Sequence, residues 1–271
     1  MARITRHEWL LAFVIYATYR GLAGNYFEIR SRPDFTGHPV APYLSPFYSP
    51  LLYDASSPHA WSHQAKPGWW PFDWFSSAVL ILAGPVLFRF TCYYYRKAYY
   101  RAFWQDPPAC AVGEPRHSYW GERYLPLVLQ NVHRYTLYIG LFFLIFLWWD
   151  TIVAFWWHTD RAGNYDPDHG QFGIGLGTLI MLANIILLTG FTFGCNSMRH
   201  LVGGRLNCFS CPHRDGQAQP KLRTGYYLWS WVTRLNVNHM QWAWLSLFSV
   251  GFADFYIWMC SMGVWKDLRI I

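Results

Sequence analysis

Five apolar stretches, each long enough to cross a lipid bilayer, restrict the folds open to this chain. They run approximately from Trp9 to Tyr26, Phe75 to Tyr93, His133 to Trp157, Phe172 to Cys195 and His239 to Val264. A transmembrane helix needs about 20 mainly apolar residues. Only 14% of the 271 residues are charged, against the roughly 25% usual in a soluble domain. The sequence therefore predicts an all-α integral membrane protein, a five-transmembrane-helix bundle that forms one domain over residues 1–271.

The Lys and Arg residues between these stretches predict the orientation of the bundle. Most of them lie in the N-terminal segment and in two loops, residues 94–132 and 196–238. The positive-inside rule makes these segments cytoplasmic. We therefore expect a multi-pass protein of the cell inner (plasma) membrane, with the N-terminus cytoplasmic and the C-terminus outside. The outer loop, residues 30–73, is rich in Pro, Tyr, Ser and Trp without a helical period, which predicts an irregular cap over the helix ends.

A basic, aromatic segment follows the second stretch. Between Tyr93 and Val112 aromatic side chains alternate with Arg and Lys, and the pattern breaks at Asp106-Pro107-Pro108. Such a mixture is typical of a helix that leaves the membrane at headgroup level. It predicts a docking surface for a cytoplasmic partner.

Histidines and cysteines recur where the stretches approach the inner face. His133 and His239 each open a stretch, Cys92 and Cys195 lie where stretches close, and His200 follows shortly after. If the helices pack together, these groups fall at one depth, where side chains distant in sequence can build a redox centre. Cytoplasmic thiols stay reduced, so metal ligation is favoured over disulfides. The candidate metal ligands are Cys92, Cys110, His133, Cys195, His200 and His239.

Two cofactors suit this set of ligands. Two imidazoles can bind a b-type haem, and no cysteine is then required. Two imidazoles and two thiolates can instead hold a [2Fe–2S] cluster of Rieske type. The number of cysteines near the inner face favours the cluster, with Cys195, Cys92 and Cys110 preferred in that order. A separate run, Cys208-Phe-Ser-Cys211-Pro-His213, lacks the second ligand pair of a zinc site and is expected to be an unligated loop.

Several charged residues lie inside the apolar stretches, among them Arg20 in the first, Asp150 in the third and Asp254 in the fifth. A charge in lipid is costly and needs a partner. We expect Arg20 to pair with one or both aspartates, and a proton path is the alternative.

Other function classes find little support. The chain has no Gly-rich phosphate loop, no GxSxG and no HExxH motif, which argues against hydrolases and nucleotide-binding proteins. A non-redox membrane scaffold or a transporter remains the alternative. A transporter would favour broken helices, a polar midplane or an internal repeat, and the sequence shows little of these.

Four blocks of the sequence carry a family resemblance. They read TCYYYRKAYYRAFWQDPPACAV, LQNVHRYTLYIG, CNSMRHLVGGRL and RLNVNHMQWAWLSL. Together they resemble the five-helix, cytochrome b-like membrane-anchor subunit of succinate dehydrogenase and fumarate reductase, in its actinobacterial type, over roughly residues 75–265. Relatives often carry a second His and Cys in the block that here reads Cys195-Asn196-Ser197-Met198. In this block only Cys195 and His200 can then serve as ligands, and Cys92 and Cys110 stay candidates.

The resemblance implies a role in respiratory electron transport and the tricarboxylic acid cycle. The chain would take electrons from an iron–sulfur subunit, fed by a flavoprotein subunit that oxidises succinate, and pass them to menaquinone. No dicarboxylate chemistry is expected on this chain, and a haem-carrying fumarate reductase anchor is the alternative. We expect lipid and quinone as further partners and no nucleic acid. The sequence leaves the oligomeric state of the complex open. The candidate quinone-binding residues are His7, Trp9, Arg134, Tyr135, Ser197, Arg199 and Trp242.

Overall fold

The computed structural model is mostly helical. It describes residues 6–29, 42–54, 57, 59–63, 77–92, 95, 127–158, 169–203 and 220–271. The α-helices are α1 (Arg6–Ala23), α2 (Ser77–Thr91), α3 (His133–Val153), α4 (Leu176–Phe193), α5 (Asn196–Val202), α6 (Pro220–Val237) and α7 (His239–Ser261). A 3₁₀ helix, Leu127–Val132, leads directly into α3.

Three of the described helices are long and apolar enough to cross a membrane. They are α3, α4 and α7, with 21, 18 and 23 residues. Helix α2 is apolar but has only 15 residues. Helix α1 has 18 residues, and Arg6, Glu8 and Arg20 make it more polar than the other three. The mostly helical membrane fold is confirmed in this coarser form, while the count of five spanning helices and the side of each terminus stay predictions.

Helices α4 and α7 form the most extensive helix pair, and α3 packs between α2 and α4. Close approach of α4 and α7 depends on Gly190, because a Cβ atom there would lie 2.6 Å from the ring of Trp242. Small residues at helix interfaces allow this kind of packing in lipid, where helices gain no hydrophobic energy by meeting. A larger residue at position 190 would have to displace the ring of Trp242.

The described part of the outer segment packs over one end of the bundle. Strands β1 (Glu28–Ile29) and β2 (Tyr43–Leu44) form an antiparallel pair. The buried hydroxyl of Tyr43 donates to Asp267 at 2.7 Å and accepts from the backbone N–H of Thr178. Burial and the Asp267 carboxylate raise the pKa of Tyr43, so this phenol keeps its proton. A second pair, β3 (Trp156–Trp157) with β4 (Gln171–Phe172), joins the ends of α3 and α4.

Arg20 and the two buried aspartates, Asp150 and Asp254, each have a partner. The Arg20 guanidinium donates to Asp254 through Nε at 2.9 Å, and both side chains are fully buried. Tyr16 also donates to this carboxylate. Asp150 has a different partner from the expected one, because His59 of the outer segment places Nδ1 2.9 Å from it. The expectation of an ion pair is thus met for Asp254, whereas Asp150 binds a histidine that sequence reasoning did not single out.

The segment 196–238, interpreted from sequence as an inner loop, contains two helices in its described part. Helix α5 begins right after Cys195, and α6 covers the last half of the segment and packs against α5. Helix α6 exposes Tyr226, Tyr227 and Trp231. Aromatic side chains of this kind are enriched at the membrane–water interface. The average polarity of α6 is too high for a spanning helix, which is why a search for long apolar runs missed it.

The buried Arg20–Asp254 pair generates a stability prediction. Asp254→Asn keeps the shape of the side chain but leaves a buried guanidinium without its counter-charge, which costs about 3–5 kcal/mol. We expect a clear drop in the melting temperature of the detergent-solubilised protein. Glu8→Gln removes an exposed carboxylate from α1 and should change stability by no more than about 0.5 kcal/mol. Equal melting temperatures for the two variants would contradict the assignment.

The predicted orientation can be tested at two exposed positions. Arg234 lies on α6, and Lys266 follows α7 near the opposite end of the bundle. A membrane-impermeant maleimide should label Lys266→Cys in intact cells and Arg234→Cys only in inside-out vesicles, each above the background of native cysteines. The reverse pattern would place the N-terminus outside.

Candidate metal centre

Four of the six candidate metal ligands meet at one end of the bundle. Cys92 directly follows α2, His133 is the first residue of α3, Cys195 lies in the turn between α4 and α5, and His239 is the first residue of α7. The side chains of Cys92 and Cys195 are almost fully buried, with 1% and 2% exposure. Helix ends at a common depth thus place ligands from four segments within one apolar region.

His133 and Cys195 form the first pair of this centre. His133 Nε2 lies 3.0 Å from Cys195 Sγ. On the other side of the ring, Nδ1 lies 3.0 Å from the hydroxyl of Thr91. This hydroxyl donates its one proton to the carbonyl of Leu87 at 2.8 Å, so it accepts from His133 Nδ1–H. The tautomer inferred in this way leaves the Nε2 lone pair directed toward Cys195, available to a metal.

Cys195 is held by the start of α5. It is the N-terminal capping residue of that helix, and its sulfur accepts the backbone N–H of Ser197 at 3.4 Å. This N–H holds the sulfur beside His133 Nε2, and deprotonation to the thiolate would make it a metal ligand.

Cys92 and His239 form the second pair. His239 Nε2 lies 3.5 Å from Cys92 Sγ. His239 Nδ1 is buried and has no hydrogen-bond partner among the described residues. A Cβ atom at Gly194 would lie 3.4 Å from this nitrogen, so the ring of His239 reaches the backbone next to Cys195. A buried polar atom without a partner is rare in native proteins and points to a missing ligand.

Two phenylalanines join the pairs. Phe88 stacks on His133 with ring centroids 4.9 Å apart, and Phe191 stacks on His239 at 5.2 Å. The two phenyl rings touch edge to face at 5.5 Å. Together with Cys92 and Cys195 they belong to one cluster of buried residues. The histidine rings are therefore fixed by packing on one face and cannot rotate away from the sulfurs without disturbing this core.

The chemistry of the donor set fits a [2Fe–2S] cluster. Two thiols and two imidazoles are present, arranged as two pairs rather than as one compact group. Among the residues that the structure describes, no three His, Cys, Asp or Glu side chains lie close enough together to hold a single metal ion. A zinc site needs about four such ligands around one ion, whereas a [2Fe–2S] cluster divides four protein ligands between two irons, the two imidazoles on one and the two thiolates on the other in the Rieske type. A b-type haem would use facing histidines, but here each histidine faces a cysteine.

His200 lies apart from the two pairs. It is exposed on α5 and lines a cavity of about 200 Å³ together with Asn196, Arg199, Gly203 and Trp229. The structure therefore does not bring it to the four inner ligands. Cys110 lies outside the described residues, as do Cys208, Cys211, His213 and the docking segment between Tyr93 and Val112 apart from Tyr95.

The candidate quinone-binding residues divide into two groups. Trp9, Arg134 and Tyr135 are exposed, and the last two face outward together, with the guanidinium 5.9 Å from the Tyr135 ring centroid. Ser197, Arg199 and Trp242 are half-buried near the centre. Trp242 Nε1 is a buried donor without a partner among the described residues, and the side chain of His7 lies outside them.

Arg199 shapes the cavity at this end. Its Nε donates to Thr233 at 3.0 Å, and its guanidinium lies 4.4 Å from the centroid of the Trp229 ring. The cavity thus combines an aromatic wall with a cationic donor. Such a combination can hold a flat apolar ring and donate to its carbonyl oxygen.

Sequence reasoning missed the residues that fix the histidines. Phe88 and Phe191 stand in two short, similar runs, FRFTC (residues 88–92) and FTFGC (residues 191–195), each four residues before a cysteine. Each phenylalanine stacks on the histidine that pairs with the other cysteine. The repeated F-x-F-x-C pattern was a signal that could have identified both cysteines and their packing partners.

Comparisons with known proteins agree on one family. A family model described as the actinobacterial succinate dehydrogenase subunit SdhC matches residues 1–263. The chain is also similar to a chain of a solved structure, the Mycobacterium smegmatis Sdh1 complex in the apo form, with 38% sequence identity and a TM-score of 0.74. That match covers 100% of this chain and 94% of the other. No curated protein matches the chain significantly.

Proposed function

Since the chain belongs to the actinobacterial succinate dehydrogenase subunit SdhC family, we propose that it passes electrons from an iron–sulfur subunit through a centre at one end of its helix bundle to menaquinone. As a family member it is a membrane-anchor subunit of succinate dehydrogenase, a quinone oxidoreductase. Its partners are the other subunits of that complex. The partner proposed for direct electron delivery is the iron–sulfur subunit, itself reduced by the flavoprotein.

The proposed ligands of the centre are Cys92, His133, Cys195 and His239. The observation that carries this proposal is the pair of His–Cys contacts at 3.0 Å and 3.5 Å, supplied by four segments at one depth. A Rieske-type [2Fe–2S] cluster bound there supplies a one-electron carrier whose neutral imidazole ligands raise its potential. His200 and Cys110, candidates from sequence, are left out of the proposed set.

The chain's own residues prepare the site for such a group. Thr91 accepts from His133 Nδ1–H and keeps Nε2 free, while Ser197 donates its N–H to the sulfur of Cys195. Second-shell partners of this kind orient ligands and are nearly as important as the ligands themselves. The Phe88 and Phe191 rings keep water away from the sulfurs, since both are buried.

The location of the centre suits electron delivery from a docked subunit. It lies on the side of the bundle that the Lys and Arg distribution assigns to the cytoplasm. A soluble partner on that face would meet the ends of α2, α3, α4 and α7 directly. The basic segment between Tyr93 and Val112 is the proposed docking surface, and it starts next to Cys92.

Menaquinone is proposed to occupy the cavity beside α5. Trp229 offers a face for the naphthoquinone ring, and Arg199 offers a donor for one of its carbonyl oxygens. Trp242, three residues after His239, has a buried indole N–H without a partner among the described residues and is proposed as a second donor. The exposed Trp9, Arg134 and Tyr135 are proposed to anchor the bundle at the interface instead.

The nature of the cofactor is tested by spectroscopy of the purified complex after dithionite reduction. We expect an electron-paramagnetic-resonance signal of low average g value beyond those of the soluble subunits, and no Soret band assignable to this chain. A Soret band that disappears in His133→Ala and His239→Ala but survives in Cys195→Ser would establish a haem and reject the cluster.

The ligand set is tested by substitution. Cys92→Ser, Cys195→Ser, His133→Ala and His239→Ala should each abolish the additional signal and lower the iron content, because each removes one of four ligands. His200→Ala is the matched control, since it removes an exposed imidazole only five residues from Cys195, and it should keep both. Full iron content in all the cysteine variants would show that the thiolates do not bind iron.

The quinone site is tested by kinetics. Trp229→Leu removes the aromatic wall and should raise the KM for a menaquinone analogue by about tenfold, equivalent to about 1.4 kcal/mol of binding, while the cluster signal stays intact. Arg234→Gln, an exposed charge change on the same helix, should leave the KM unchanged. An unaltered KM in Trp229→Leu would move the quinone to another site.

A further inference from the structure

Arg89 is a positive charge inside the apolar helix α2, next to the proposed centre. It lies three residues before Cys92 and is half-buried. No carboxylate among the described residues forms an ion pair with it. An ionisable residue at such a depth is costly and usually serves a function. The guanidinium is a permanent charge, because arginine is not deprotonated in proteins.

The position of this charge is fixed by neutral groups. Its Nη1 atom donates to the Tyr95 hydroxyl at 2.9 Å and to the Ala243 carbonyl at 3.1 Å, and Nη2 donates to Ser246 at 2.8 Å. These partners stabilise the guanidinium by hydrogen bonds but do not cancel its charge. The full positive charge therefore acts on its surroundings.

The nearest aromatic ring connects Arg89 to the centre. The guanidinium carbon lies 4.4 Å from the centroid of the Phe191 ring. The ring of His239 also stacks on Phe191, with the two centroids 5.2 Å apart. Arg89 and Cys92 belong to the same end of α2, while Cys92 contacts His239. Arg89 is thus next to both members of this proposed ligand pair, to His239 through Phe191 and to Cys92 along α2.

The second F-x-F-x-C run has no such charge. Thr192 occupies in FTFGC the position that Arg89 occupies in FRFTC, and it is buried. The two runs share their phenylalanines and cysteine but differ at this position and at the residue before the cysteine, Thr91 or Gly194, and only Arg89 is charged. The asymmetry places extra positive potential on the Cys92–His239 side.

We infer that Arg89 is a positioning residue whose fixed charge raises the reduction potential of the centre, an inference that rests on the proposed function. When one electron arrives from the iron–sulfur subunit, the centre gains one unit of negative charge, and no proton moves to or from Arg89. A nearby positive charge in a low-dielectric region stabilises the reduced state. Its removal therefore disfavours reduction, and the midpoint potential falls.

The test is a redox titration of the purified complex followed by the low-g signal. Arg89→Gln should lower the equilibrium constant for reduction by about tenfold, which for a one-electron couple corresponds to about 59 mV. Ser246→Asp should give a shift in the same direction with Arg89 in place, because a carboxylate at this position would pair with the guanidinium. If the Arg89→Gln complex does not assemble, the Ser246→Asp variant tests the same inference.

Three controls separate charge from packing. Arg89→Lys keeps the charge, Ser246→Ala removes one hydrogen bond without changing charge, and Arg234→Gln removes an exposed charge at the same end of the bundle. All three should shift the potential by less than a third of the Arg89→Gln effect. A shift in Ser246→Ala as large as that in Arg89→Gln would assign the effect to packing and overturn the inference.

The outcome also distinguishes this inference from the proposed function. Absence of the low-g signal from the wild-type complex would reject the cluster itself. Presence of the signal with an unchanged potential in both Arg89→Gln and Ser246→Asp would reject only the role of Arg89.

Discussion

The rest of the structure depends on the need to satisfy backbone polar groups in lipid. In the hydrocarbon region an unpaired N–H or C=O is too costly to persist, so the chain crosses as helices whose hydrogen bonds are internal. Ligands for a shared group must then come from different helices, and helix ends are where several segments can converge at one depth. The ends of α2, α3, α4 and α7 supply such ligands here. The close packing of α4 on α7 at Gly190 brings two of these ends together.

The charged side chains have different partners at the two ends of the bundle. At the end covered by residues 42–63, the buried carboxylate of Asp254 forms an ion pair with Arg20, and that of Asp150 contacts His59. At the opposite end, Arg89 is held by neutral groups and packs on Phe191, which stacks on His239. Contacts of Ser45 and His59 with these carboxylates hold residues 42–63 on the helices, whereas an uncompensated charge can influence an electron that arrives nearby. The division agrees with a structural role for the first end and the proposed redox role for the second.

The centre contains two similar F-x-F-x-C runs, and each run packs against the histidine that contacts the cysteine of the other run. Each F-x-F-x-C run places a phenylalanine four residues before its cysteine, and each phenyl ring packs on the histidine paired with the other cysteine. The contact between Phe88 and Phe191 therefore joins the two runs into one rigid unit. Movement of either helix end would disturb both histidines at once. Rigid ligands suit electron transfer, because a site already held in its working geometry needs little rearrangement.

The sequence alone determined the membrane class, the approximate positions of the apolar helices and the ligand types near their ends, because hydrophobic length and helix-terminal position can be read without tertiary contacts. It also determined that Arg20 needed a buried partner. It could not determine that His59 binds Asp150, that α6 forms in an inner segment of mixed polarity, or that His200 faces a cavity while His133 and His239 face cysteines. These outcomes depend on how helices rotate and pack against one another, and periodicity does not fix rotation in a helix that is apolar on all sides. Only the tertiary structure, through the stacked Phe88 and Phe191 rings and the close approach at Gly190, decided which ligands meet.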